Sequence, residues 1–154
     1  MLRSLMILRF LLSEKNKQRG NGGSMIFPAK VDKLNELLSF IEEELGEKNV
    51  PMNITMSFLV AVEEIFVNVA SYAYPETEGN VEIEFSIGDH RVDVSFADEG
   101  LPFNPLEKKD PDINAKVEDR QIGGLGIYMV KKSMDGIDYE YRDNKNILSF
   151  WKAF

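Results

Sequence analysis

Three groups of residues have types and spacings suited to chemistry. Glu64 and Asn68 lie four residues apart within residues 55–75, a run otherwise rich in apolar side chains. In a helix, that spacing places both on one face. A carboxylate and an amide stacked there can hold a hydrated Mg²⁺ and orient an attacking hydroxyl. The alternative is structural, with Glu63 and Glu64 on a solvated edge and Asn68 capping a neighbouring loop. Asp98 and Gly100 form an Asp-x-Gly at the end of an alternating run. An aspartate at a strand end can accept a hydrogen bond from an exocyclic amine such as that of adenine. A glycine beside it lets a flat ring or a phosphate approach the backbone, although Asp-x-Gly is also an ordinary turn signal. Gly123, Gly124, Leu125 and Gly126 open a helical stretch. Free N–H groups at a helix start attract anions, and glycines remove side chains that would block a phosphate. A hinge without a ligand is the alternative. The stretch is not a P-loop, because the Gly-Lys-Ser/Thr ending is absent, and it does not directly follow a strand as a Rossmann loop does.

Composition removes several other chemistries. The 154 residues include no cysteine, which excludes disulfides and thiolate metal sites and fits a reducing cytoplasm. The single histidine, His90, falls in an expected turn. No Ser-His-Asp triad or histidine metal cluster can be built from this chain alone. Net charge is −8, with five basic groups and one acidic group in residues 1–24, so the remainder carries −12. That acidity suits a basic protein partner better than nucleic acid.

The elements that must position these groups follow from periodicity. Residues 1–12 are apolar with two arginines, too short to span a bilayer, and residues 13–24 are polar and glycine-rich. Together they read as an extension outside the fold, with Met25 a candidate first residue and residues 25–154 the domain; a helix on a membrane surface is the alternative for the apolar run. Residues 25–28 suggest an edge strand, where Pro28 is tolerated. Residues 31–47 have helical spacing. Residues 55–75 form a longer helix, capped by Thr55 or Ser57, ended by Pro75 and buried on most sides. Residues 80–87 and 91–97 alternate strictly and form an antiparallel hairpin. Residues 99–122 lack periodicity and form a long loop, of a kind that is usually functional or mobile. A helix over 123–134 and a hairpin of 137–142 with 147–154, turning at 143–146, close the chain. This order implies an α+β two-layer sandwich, a mostly antiparallel mixed sheet with helices on one face.

The combination Glu-x-x-x-Asn, Asp-x-Gly, long loop and Gly-Gly-x-Gly resembles the GHKL, or Bergerat-fold, ATPases over residues 25–154. EEIFVNVASYAYPE, DEGLPFNP and GGLGIYMVKKSMDGIDYEY look most like the anti-sigma-factor serine kinases of the RsbW type. The resemblance implies ATP and Mg²⁺ as cofactors, with Asn68 as the metal ligand and Glu64 as general base. It implies Asp98 and Gly100 at the adenine, and Gly123, Gly124, Leu125 and Gly126 around the phosphates. The loop over residues 106–122 matches the nucleotide lid, with Arg120 or Lys116 reaching the γ-phosphate; plain surface charge is the alternative for both. One departure is Pro102, which stands where the wider superfamily often has a second glycine. The implied activity is phosphorylation of an anti-anti-sigma (STAS-type) protein and sequestration of a sigma factor in the cytoplasm. A homodimer is compatible with the resemblance. No nucleic acid or membrane is implied as a partner. The alternatives are a nucleotide-gated binding module without catalysis and a non-nucleotide interaction domain that keeps only the fold.

Overall fold

The structure, a computed structural model, describes residues 22–112, 114 and 125–154. Five strands form one antiparallel sheet: β1 (Gly22–Pro28), β2 (Asn80–Ile87), β3 (Arg91–Asp98), β4 (Gly136–Arg142) and β5 (Lys145–Ala153), in the order β1-β2-β3-β5-β4. Helices α1 (Leu34–Glu47), α2 (Met52–Tyr72) and α3 (Leu125–Ser133) accompany them. Buried Val81, Ile83, Phe85 and Ile87 of β2 face the core with Val92, Val94 and Phe96 of β3. That alternation is why one sheet face carries helices and the other is open. The α+β two-layer architecture is as expected. Every strand pairing described is antiparallel, so no mixed pairing is present among the described residues.

Several boundaries differ from expectation, each for a local reason. β1 begins at Gly22 rather than Met25, because Gly22, Gly23 and Ser24 pair with Ser86, Phe85 and Glu84 of β2. Ser24 Oγ also donates to Glu82 Oε1 at 2.9 Å. A single 3-10 turn, Val31–Lys33, precedes α1. The helix ends where Asn49 adopts φ 55°, with Val50 N–H donating to Leu45 O and Asn49 N–H to Gly46 O. That pair of bonds is a Schellman ending with asparagine at the left-handed position.

Helix α2 starts at Met52, with Pro51 at the N-cap and no side-chain cap. Thr55 and Ser57 are therefore not caps. Both lie inside the helix, and Thr55 is buried. The chain turns earlier because proline's fixed φ pre-sets the entry and Pro51 O accepts from the N–H groups of Ile54 and Thr55. The expectation of burial on most sides also fails. Phe58, Ala61, Val62, Ile65 and Phe66 face the core, whereas Met52, Met56 and Val60 are more than half exposed. The helices form a single layer, so only the stripe facing the sheet is covered. Phe58 anchors that stripe, its ring centroid 5.4 Å from Phe150 and 6.1 Å from Phe85.

After β3 the chain leaves the sheet, passes through the loop and α3, and returns as the edge strand β4. The tight turn to β5 uses Asp143 and Asn144, both at positive φ, which is the two-residue hairpin geometry. Lys145 and Asn146, expected in the turn, instead begin β5. The register places Asn146 directly opposite Asp98.

Candidate functional site

Asp98 continues the inward-facing row of Val92, Val94 and Phe96 and is only 6% exposed. The alternation that builds the core therefore carries a carboxylate to the core's end. Its Oδ1 accepts from Gly100 N–H at 2.9 Å and from Asn146 Nδ2 at 3.0 Å. Among the described residues, Oδ2 receives no hydrogen bond. Burial pushes the Asp98 carboxyl above the usual aspartate range, and the bonds from Asn146 and Gly100 pull part of that shift back.

Asn146 is itself buried, at 7% exposure. Its Nδ2 also donates to Leu101 O at 3.0 Å, while its Oδ1 accepts from Phe103 N–H at 3.0 Å and from the Tyr139 hydroxyl at 2.6 Å. A second phenol closes the other side. The Tyr74 hydroxyl donates to Asn80 O at 2.7 Å and accepts from Glu99 N–H at 2.8 Å. It thus links the end of α2 to the starts of β2 and of the loop.

Gly100 serves a close backbone approach, but the approaching group is protein. A Cβ there would stand 2.3 Å from Ala73 O, and Leu101 N–H donates to that same oxygen at 3.1 Å. Because the obstacle is backbone, Gly100→Ala is expected to cost about 1–3 kcal/mol of stability through overpacking. A denaturant titration showing parent-like stability would contradict this.

Asn68 and Asp98 line one cavity of about 510 Å³, together with Ile65, Val69, Tyr72 and Ile127. The volume suits a small-molecule ligand, and apolar walls with few polar groups are typical of such sites. The Asn68 amide makes no hydrogen bond among the described residues, so it caps no described part of the neighbouring loop. Asn146, Tyr139 and Lys108 line the same cavity. None of the three was singled out from the sequence. Lys108 stacks over Phe103 at 5.3 Å, and the Lys131–Asp110 ion pair at 2.6 Å joins the loop to α3. A larger concavity of about 930 Å³ lies on the open sheet face, among Ser24, Glu84, Ser95, Ser149 and Asp138. It holds none of the expected site residues, and its floor is a polar sheet surface rather than a pocket for a flat ring.

Glu64 is half-buried and Glu63 exposed, so the solvated-edge alternative describes Glu63 alone. Glu64 is not among the residues lining the cavity. Its carboxylate lies against the first turn of α3, where a Cβ on Gly126 would come within 2.1 Å of Glu64 Oε2. Gly126, expected at a phosphate, makes room for this carboxylate. Leu125 is about half exposed at the start of α3. Gly123, Gly124, Arg120, Lys116 and most of the expected lid lie outside the described residues. Among the described residues, no three histidine, aspartate or glutamate side chains gather as a metal cluster. A single amide oxygen is still a reasonable protein contribution to Mg²⁺, which usually keeps several waters.

Residues 27–152 match the model of the histidine kinase-like ATPase domain. A serine-protein kinase RsbW of Bacillus mycoides is 31% identical over 93 residues, covering 58% of each chain. A Bacillus cereus protein of the same name is 32% identical over 93 residues, again covering 58% of each. The chain thus spans little more than half the length of these curated relatives. A solved structure of the RsbU and RsbW domains of a Mycobacterium tuberculosis protein superposes with a TM-score of 0.61 at 12% identity. It covers 85% of this chain and 32% of that one, and at this identity it speaks for the fold alone.

Proposed function

Because the chain belongs to the histidine kinase-like ATPase domain family, we propose that it is an ATP-dependent serine kinase and anti-sigma factor. ATP enters the cavity shared by Asn68 and Asp98 and phosphorylates a serine on an anti-anti-sigma (STAS-type) partner. The same domain sequesters a sigma factor in the cytoplasm, acting as a homodimer. The observation that carries the reading is one cavity lined both by a buried carboxylate and by an amide, where Asp98 Oδ2 and the Asn68 amide have no hydrogen-bond partner among the described residues.

In this reading Asp98 Oδ2 accepts from the exocyclic amine of adenine, and the walls at Ile65, Val69 and Ile127 exclude water around the ring. Asn68 holds Mg²⁺ through its amide oxygen. Bound Mg²⁺ screens phosphate charge and supplies Lewis acidity. Glu64, one helical turn before Asn68, accepts the proton of the serine hydroxyl at a carboxylate oxygen. The N–H groups at the start of α3 favour anionic phosphate. Gly100 keeps the loop against Ala73, Gly123 and Gly124 leave the phosphates free of side chains, and Leu125 and Gly126 offer them backbone N–H groups at the start of α3. Lys108, already on the cavity wall, joins Arg120 or Lys116 as a cation for the γ-phosphate. Most of the rate enhancement comes from positioning and electrostatics.

The test is calorimetric titration of ADP and ATP, with and without Mg²⁺, on the parent and on Asn68→Ala. The parent is expected to bind more tightly with Mg²⁺. Asn68→Ala is expected to lose that gain and bind roughly tenfold more weakly, as loss of one polar ligand interaction implies. A folded parent that binds no adenine nucleotide would overturn the reading. The placement of Glu64 outside the cavity lining favours a second reading, a nucleotide-gated binding module without phosphotransfer. Mass spectrometry of a STAS-type partner incubated with the chain and Mg²⁺–ATP separates the two, since only a kinase leaves phosphoserine.

A further inference from the structure

Asn146 spends its whole hydrogen-bonding capacity inside the protein. Both amide protons and both lone pairs have partners, at Asp98, Leu101, Phe103 and Tyr139. It therefore has nothing left with which to read a ligand. Three of those partners lie at the Asp98 strand end or at the first residues of the loop, and the fourth is on β4. From this juxtaposition we propose that Asn146 is a positioning residue. It orients the Asp98 carboxylate so that only Oδ2 faces the cavity, and it ties that orientation to the seating of the loop at Leu101 and Phe103. The inference rests on the nucleotide reading of the cavity and adds to it the group that orients the carboxylate facing the ring.

The direction of the amide is fixed by its surroundings. The Tyr139 hydroxyl and Phe103 N–H demand an acceptor, so Oδ1 faces them and Nδ2 must face Asp98 and Leu101 O. Asp98 Oδ1 is then occupied by Asn146 and Gly100, which leaves Oδ2 as an acceptor for an amino group on a ring. Without Asn146, the carboxylate can rotate, Leu101 O loses a donor and the loop loses two anchors.

The test is ADP affinity as a function of pH in the intact 154-residue chain. Adenine binding favours ionised Asp98, so affinity falls as pH drops through the carboxyl's range. The charged or titratable groups around that carboxyl are the Tyr74 and Tyr139 phenols, Glu99, Glu107 and Lys108. Asn146→Ala removes a hydrogen bond to the ionised form, so the midpoint should move to higher pH and affinity at neutral pH should fall about 10–100-fold. Tyr139→Phe removes only one support of the amide and should move the midpoint the same way by less. It keeps the proposal testable should Asn146→Ala fail to fold. A uniform loss of affinity with an unmoved midpoint would reduce Asn146 to a structural residue and overturn the proposal, as would parent-like binding in both variants. Absence of ADP binding by the parent would instead overturn the nucleotide reading itself.

Discussion

Replacing Glu64 with alanine is expected to remove phosphotransfer while leaving nucleotide binding intact. Loss of a general base costs about 10²–10⁴ in rate. The side chain is half-buried and outside the cavity lining, so its removal takes no wall from the nucleotide pocket. It also takes a negative charge away from the start of α3, where phosphates would be drawn. ADP affinity should therefore hold or rise slightly. Single-turnover transfer of labelled phosphate to a STAS-type partner, beside ADP titration of the same preparation, checks both halves. Undiminished transfer would remove Glu64 as the base. Parallel loss of transfer and ADP binding would mean the residue supports the pocket rather than the chemistry.

Asp98→Asn is expected to weaken ATP about 10²–10³-fold, because it loses a charge-assisted acceptor and also turns a donor toward the ligand. The turn follows from the neighbours. Gly100 N–H and Asn146 Nδ2 both donate to Oδ1 of the native carboxylate, so a substituted amide must present its oxygen to them. Its NH₂ then faces the cavity against the adenine amine. A six-oxo purine offers an acceptor at that position, so the variant should discriminate less against guanine nucleotides, or reverse the preference. Competition titrations with ADP and GDP measure this. If the variant keeps the parent's adenine preference, Asp98 does not read the ring.

What the sequence made legible is local and periodic. Residues 80–87 alternate cleanly and emerge as β2 with those bounds, and the same alternation in β3 carries Asp98 inward. The four-residue spacing of Glu64 and Asn68 likewise survives in α2. Asn146 was invisible because its importance comes from register. It sits in an Asp-Asn-Lys-Asn stretch that reads as turn chemistry, and only the two-residue turn at Asp143 and Asn144 frees it to pair with Asp98. Tyr139 and Tyr74 were missed for a related reason, since a phenol's partners lie on other elements. Gly100 and Gly126 were picked out as glycines, but the groups that press on them, Ala73 O and the Glu64 carboxylate, come from the C-cap and the body of α2. Sequence spacing flags that space is required without saying for what.

The single covered stripe of α2 has a consequence for the chain's synthesis. The helix has 21 residues and, by length and composition alone, is apolar enough to cross a lipid bilayer. Its length of about 31 Å is close to the thickness of a hydrocarbon core. An emerging segment of this kind resembles what the insertion machinery partitions sideways into lipid. Glu63 and Glu64 stand at its middle, where each acidic group raises the cost of partitioning by about 2.5–3.5 kcal/mol. Both carboxylates therefore disfavour that partitioning, whatever Glu64 does in the folded protein.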